Sequence, residues 1–395
     1  MTTAAPASKT PPRPTEDVVL TPRQIKDVVL VHDYLLVMRG AERTFAEIVA
    51  CFPDAPIATL LHDPIGTAGR FRHRRVRTSF LQPVAADQRR FRRFLPLLPL
   101  AARRLPLGDA RVVISSSSAF AHGVCPTRDA VHVSYCHSPF RYVWHERRRT
   151  EQGFAPLLRP LAPGLLEAVR RWDVAASRRV TAYIANSALT AERIADFYGR
   201  RSRVVHPPVD VDRFDAVPAP EDYFLLVGEV TRHKNPKLAL AAAERAGVKI
   251  KVVGDGPQLA RLRAQYTRAS FLGRVGQRRL IELYARCRAL IVPAIEEFGI
   301  AMVEAHAAGR PVVAAGRGGA VEIVDDGETG VLFTPGSVDE LAETLRETDW
   351  EGFDAARLKA SAQRFSSSRF RRRFSSELAR ILDQDARAED RRPVG

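Results

Sequence analysis

Residues 289–324 read ALIVPAIEEFGIAMVEAHAAGRPVVAAGRGGAVEIV. Two short apolar runs stand in it, Ala289–Pro293 and Pro311–Ala315. Each leads into a glycine-bearing loop and then a segment of helical character. Short runs apolar on both sides suit strands buried on both faces of a parallel sheet. Strands alternating with helices imply such a sheet with helices on both sides.

The same grammar extends outward in both directions. Downstream of the chain midpoint, Tyr223–Val227 ends in GEVTRHKN (228–235) and Val248–Val253 ends in GDGP (254–257). In the first half, Val28–Val31, Arg111–Ser115, Ala130–Cys136 and Val180–Ala185 are further strands. Ala41–Cys51 reads as a helix after the break at Gly40. A second helix follows Val180–Ala185, with Asn186 or Ser187 as its cap and Gly199 as its end. Pro207-Pro208 is stiff and non-helical, which marks a boundary between domains. The expected organisation is a disordered tail at 1–26 and an α/β domain at 27–207. A second α/β domain at 208–365 follows, then a helix and polar tail at 366–395. The final helix, about Ser367–Asp383, has the option of packing back on the first domain. Two doubly wound, Rossmann-like domains place a cleft at the carboxyl ends of their strands, where open α/β sheets bind ligands.

The chain has 395 residues, 61 Lys+Arg against 45 Asp+Glu, and a formal net charge of +16. An excess of this size points to an anionic partner: nucleic acid, an acidic membrane surface or a phosphorylated substrate. No zinc-finger, RNP or helix-turn-helix pattern is present, so nucleic acid is not the expected partner. The apolar runs are too short to span a bilayer, and no signal peptide is visible, so a cytoplasmic location is expected. Cys51, Cys125, Cys136 and Cys287 lie far apart and read as reduced thiols.

The loops carry the chemistry. In EEFGIAMVE (296–304) two carboxylates precede Gly299, and a helix begins there. A helix amino terminus presents free N–H groups to a diphosphate. Glu296 and Glu304 are acceptors suited to sugar and ribose hydroxyls. GEVTRHKN places Arg232 and Lys234 after a strand, where they can neutralise a leaving diphosphate. No GxxxxGK[ST] occurs, which excludes a P-loop.

These segments together resemble the nucleotide-binding half of family 4 glycosyltransferases with the GT-B fold. The matching stretches are VGEVTRHKN, VVGDGPQLARL, FLGRVGQRRLIELYARC, EEFGIAMVEAHAAGRPVVAAGRGGAVEIV and DDGETGVLF. HDYLLVMRGAER, SYCHSPFRYVWH, IANSALTAERIADFYG and VVHPPVD resemble the branch of O-antigen or lipopolysaccharide-type mannosyltransferases. The resemblance covers roughly residues 28–385. It implies Glu296 near the donor sugar, Glu304 on the ribose, and Lys234 with Arg232 on the diphosphate. The amides around Phe298, Gly299 and Ile300 are implied to contact the donor. Gly228, Gly254 and the Phe271–Val275 stretch, with Leu272 and Val275, complete the implied donor side. Family members often carry Arg after the glycine of the first loop; Glu229 stands there instead. Arg39-Gly40 resembles a two-glycine interface loop in which Arg39 replaces the first glycine. His137 matches the active-site histidine. Arg141, Tyr142 and Trp144 are implied to shape an acceptor pocket, with interface packing the alternative for Tyr142 and Trp144.

The implied reaction is a retaining transfer of a hexose, first of all mannose from GDP-mannose, to a lipid-linked or glycan acceptor. A UDP-sugar donor and a GT-B nucleotide-sugar epimerase are the alternatives. No cofactor or metal is implied; the nearest DxD-like pair, Asp210 and Asp212, fits the linker better. Residues 70–104 hold eleven arginines against one acid, Asp87, interleaved with apolar residues. That window reads as an anchor to the inner face of the cell membrane or as a charged exterior over core residues.

Overall fold

The computed structural model describes residues 27–85, 94, 96–154, 156–214 and 217–390. It contains two parallel sheets. The first has seven strands: β1 (Val28–His32), β2 (Ile57–Thr59), β3 (Val76–Thr78), β4 (Val112–Ser117), β5 (Val131–Cys136), β6 (Ala182–Ala185) and β7 (Ser202–Val204). Their order is β3-β2-β1-β4-β5-β6-β7. The second has β8 (Phe224–Val227), β9 (Ile250–Val253), β10 (Ser270–Gly273), β11 (Leu290–Val292), β12 (Val312–Ala315) and β13 (Gly330–Phe333), in the order β10-β9-β8-β11-β12-β13. This is the two-domain GT-B architecture. All five residues of β1 are buried, which explains its unbroken apolar character up to His32.

Each sheet reverses its winding once, between β1 and β4 and between β8 and β11. Connections leave these paired strands in opposite senses, so a crevice opens at their carboxyl ends. The loops after β1, β8 and β11 are therefore the ones that hold Arg39, Lys234 and Glu296.

The apolar runs account for eight of the thirteen strands among the described residues. The other five are β2, β3, β7, β10 and β13, of three or four residues each. Four of them form the sheet edges, where one flank faces solvent and polar residues are tolerated. Thus β3 is Val-Arg-Thr and β7 is Ser-Arg-Val. The position of β3 also shows how the described part of the 70–104 window is built. A strand and two short helices, Gln82–Ala85 and Leu98–Arg103, divide it. Phe71 and Leu98 are buried in the first domain, while Phe80, Val84, Leu97 and Leu100 are exposed. Arg89, Arg90, Arg92 and Arg93 lie outside the described residues.

The helices that bear on the cleft are α1 (Gly40–Cys51), α2 (Ala162–Ser177), α3 (Ala188–Tyr198), α4 (Pro236–Ala246), α5 (Gln277–Arg286), α6 (Ile300–Ala307), α7 (Ala320–Ile323) and α8 (Ser367–Asp390). Ser187 caps α3 by accepting from the Thr190 amide at 3.2 Å, and Gly199 ends it in the left-handed region. α8 follows the second domain in sequence but packs on the first. Phe370, Phe374, Leu378, Ala379 and Ile381 share a core with β1, β4, β5 and α1. The chain thus crosses between the domains twice. The crossings lie side by side, with the Val209 amide donating to the Phe365 carbonyl at 2.8 Å.

Candidate active site

Lys234 Nζ donates to Glu296 Oε2 at 2.5 Å. β8 and β11 are paired neighbours, and the loops leaving their ends deliver these two residues to one point. Lys234 ends a single 3-10 turn, Arg232–Lys234, before α4. Arg232 is exposed on the same turn. The Glu296 loop is fixed from below, since the Gly319 amide donates to the Glu296 carbonyl at 2.9 Å. Gly299 takes φ +100, a conformation that L side chains rarely adopt, and this lets α6 begin directly behind the carboxylates. The Phe298 side chain is buried against His206 and Phe365, so only its backbone is available to a ligand. The first amides of α6 have no partners within the helix.

Glu304 lies one turn further along α6, with a side chain only 6% exposed. It accepts from Tyr284 Oη at 2.9 Å and Arg43 Nη1 at 3.3 Å, and pairs closely with Arg213. Burial and then the neighbouring Glu304 charge push the Tyr284 phenol well above its ordinary pKa, so it stays a donor. Arg43 comes from α1, across the cleft. It sits one turn after Arg39, a spacing that puts both on one helix face. The RGAER stretch carried that signal, yet nothing in it specifies a partner in the other half of the chain.

Glu297 gathers a third group: Arg193 at 3.0 Å, His145 at 3.7 Å and Arg141 at 4.0 Å. Burial works to raise its pKa, but the hydrogen bond from His145 and the charges of Arg141, Arg193 and Lys234 prevail and hold the carboxyl below the usual range. Glu322 at α7 accepts from the Ala188 amide and from His206 Nε2 at 2.8 Å. Arg39 Nη2 meets Glu229 Oε1 at 2.7 Å. In these contacts the first domain and its linker supply the donors, and the second domain the carboxylates. Arg39 and Arg141, placed on the acceptor side by sequence, thus both face second-domain glutamates.

The opposite wall is built from the ends of β1, β4 and β5. His137 Nε2 lies 2.8 Å from Ser116 Oγ, which is also 3.0 Å from His32 Nδ1. Burial, then the neighbouring His32, takes the His137 pKa down to about 3, so its imidazole is neutral. It can accept or donate one hydrogen bond but does not carry the charge of an imidazolium. Buried Asp33 accepts the amides of Ser118, Ala119, Phe120 and Ala121 at 2.6–3.1 Å, fixing the loop after β4. Tyr142 is exposed beside Phe140. Trp144 belongs to first-domain packing: its indole stacks on Phe197 at 4.4 Å and donates to Asp173 at 2.7 Å. Of the two readings the sequence left open for Trp144, these contacts fit packing, with ring face and N–H both engaged.

The remaining donor-side positions lie along β8, β9 and β10. The Gly228 amide donates to Val253 and the Gly254 amide to Gly273, at 3.0 and 2.8 Å. Leu272 is partly exposed on the edge strand, and Val275 packs against the second-domain core. Gly40 is the first residue of α1. Among the described residues no group of three or more His, Cys, Asp or Glu is arranged to hold a metal.

Comparison with known families separates the two halves in the same way. Residues 38–213 match the Glycosyltransferase Family 4 model, and residues 211–363 match Glycosyl transferases group 1. The two matches meet at the boundary between the sheets and together run from residue 38 to residue 363. A D-inositol 3-phosphate glycosyltransferase of Mycolicibacterium smegmatis is 34% identical over 209 residues, 46% of this chain and 48% of that protein. A protein of the same description from Mycolicibacterium paratuberculosis is 35% identical over 170 residues, 37% of this chain and 38% of that one. The chain spans about half the length of the curated relatives it matches. Among solved glycosyltransferase-fold structures, Anabaena HepE in complex with UDP-glucose superposes with a TM-score of 0.67 at 21% identity, covering 89% of this chain and 99% of that one. Sucrose-phosphate synthase from Thermosynechococcus elongatus gives 0.69 at 17% identity, covering 91% and 100%. These likenesses establish the GT-B fold.

Proposed function

We propose that the chain transfers a hexose from a nucleoside diphosphate sugar to a hydroxyl of a lipid-linked or glycan acceptor, with retention of anomeric configuration. The observation that carries this reading is the Lys234–Glu296 pair at the switch point of the second sheet, beside the amino terminus of α6. A departing diphosphate needs fixed positive charge, and Lys234 with the α6 amides supplies it. Glu296 and Glu304 are carboxylates placed to accept sugar and ribose hydroxyls. His137, being neutral, acts through hydrogen bonding to donor or acceptor.

The donor is first of all GDP-mannose, on the resemblance of the first-half motifs to mannosyltransferases. A UDP-sugar is the second reading, favoured by the UDP and UDP-glucose complexes among the fold neighbours. The acceptor face is proposed to meet the inner leaflet of the cell membrane through the 70–104 region. Exposed Arg70, Arg72, Arg75, Arg103 and Arg104 there share the surface with exposed Phe80, Leu97 and Leu100. No helix among the described residues is long and apolar enough to cross a membrane.

The test is a panel of GDP- and UDP-sugars with lipid and glycan acceptors, following nucleoside diphosphate release and product anomer by NMR. Transfer from GDP-mannose with retention is the expected result. Epimerised free donor without transfer would replace the reading with an epimerase. Flotation with vesicles containing anionic lipid tests the membrane contact; recovery at the bottom of the gradient rejects it.

A further inference from the structure

Arg39 is the residue before α1, and its backbone N–H is already held by Glu42 Oε2 at 2.9 Å. This leaves the guanidinium free to project across the cleft. It ends on Glu229, the second residue of the loop that later delivers Lys234. The domains are in contact at this point. A β-carbon added to Gly40 would stand 3.0 Å from Ile300 Cδ1, so the first residues of α1 and α6 touch.

Two cations therefore flank the switch point, Arg39 and Lys234, and each is paired with a glutamate, Glu229 and Glu296. The two pairs differ in strength. Lys234 and Glu296 are mostly covered, whereas the Arg39 and Glu229 side chains are 51% and 39% exposed. A half-exposed ion pair is among the weakest of contacts. Arginine, by contrast, binds a phosphate through two parallel N–H donors. A diphosphate entering this loop can take Arg39 from Glu229 at little cost.

We propose that Arg39 is a diphosphate-binding residue contributed by the first domain, and that Glu229 holds it in waiting until the nucleotide arrives. This rests on the nucleotide-sugar reading above. Its consequence is that nucleotide binding exchanges one interdomain contact for another, and that Glu229 competes with the product diphosphate for Arg39. Arg39 is thus a donor-side residue, not an acceptor-side one.

The experiment is calorimetric titration of the full chain with GDP, UDP, GMP and UMP. Arg39→Ala is expected to weaken diphosphate binding about tenfold while changing monophosphate binding less than threefold. Arg39→Lys should recover part of the loss. Glu229→Gln should tighten diphosphate binding about threefold in the parent and have no effect when Arg39 is already Ala. Equal losses for mono- and diphosphates on Arg39→Ala would overturn the proposal. So would tightening by Glu229→Gln in the Arg39→Ala background, because Glu229 would then act on the ligand directly. Binding of no nucleotide by the parent chain would instead remove the nucleotide-sugar reading itself.

Discussion

Lys234 and Glu296, 62 residues apart in sequence, form a 2.5 Å ion pair where β8 and β11 end side by side. Each partly covers the other. Lys234→Ala is expected to lower kcat/KM for transfer by 10²–10³, the range for losing one preorganised donor to a developing anion, about 3–4 kcal/mol. The double variant with Glu296→Ala should lose far less than the sum of the two singles. Steady-state kinetics on the four proteins would check this; additive losses would show that the two act separately.

Glu304 behaves differently because it is buried among Arg43, Arg213 and Tyr284. Removing one partner of a buried ionic cluster costs about 3–5 kcal/mol, since the others keep their desolvation penalty. Glu304→Ala is therefore expected to lose stability as well as activity. Urea denaturation monitors the first, and an unchanged midpoint would show that the cluster is solvated.

Acid sensitivity follows from three buried histidines. Burial is the leading cause in each case, lowering His132 and His137 to about 3 and His306 to about 4, from 6.5. Below pH 6.5 the unfolded chain binds protons at these sites that the folded chain does not. Stability is thus complete above 6.5 and falls as the pH drops toward 4, at about 4 kcal/mol per pH unit for the three together. Thermal unfolding at pH 7.5, 6 and 5 should show a steep decline, shallower after His306→Asn. A flat profile would mean the rings are hydrated.

Ionic strength should act on the cleft. The Arg39–Glu229 contact between the domains is half-exposed. Screening shortens from about 8 Å at 0.15 M salt to about 3 Å at 1 M. The radius of gyration from small-angle scattering should rise with salt as the domains part. Constancy would place the closing force in the apolar crossings instead.

Phe374 is fully buried, on a helix numbered after the second domain but packed in the first. Phe374→Ala should cost about 3–5 kcal/mol. Hydrogen exchange should locate the loosening in β1, β4 and β5, with β8 and β11 unchanged; loss in the second sheet would contradict the packing.

The sequence made the buried strands legible, because Val28–Val31 or Pro311–Ala315 must be apolar wherever they pack. It also marked the EEFG loop and Lys234. It did not reveal β3 or β7, whose central arginines reflect an edge position that only the finished sheet defines. Nor did it reveal that Glu297 meets Arg193, or Arg39 Glu229. Such pairs depend on how two separately folded sheets face each other, and no local pattern encodes that. The burial of Glu304 is of the same kind: on α6 alone it would be an ordinary surface residue.

The placement of α8 has a bearing on how the chain is made. More than 160 residues lie between β7 and Phe370, so the ribosome completes the entire second sheet before the side chains that finish the first core emerge. At ~5–20 residues per second that interval is on the order of ten to thirty seconds. For that time the first-domain residues that pack on Phe370 and Phe374 lack their cover. The domain that begins first is the one that matures last.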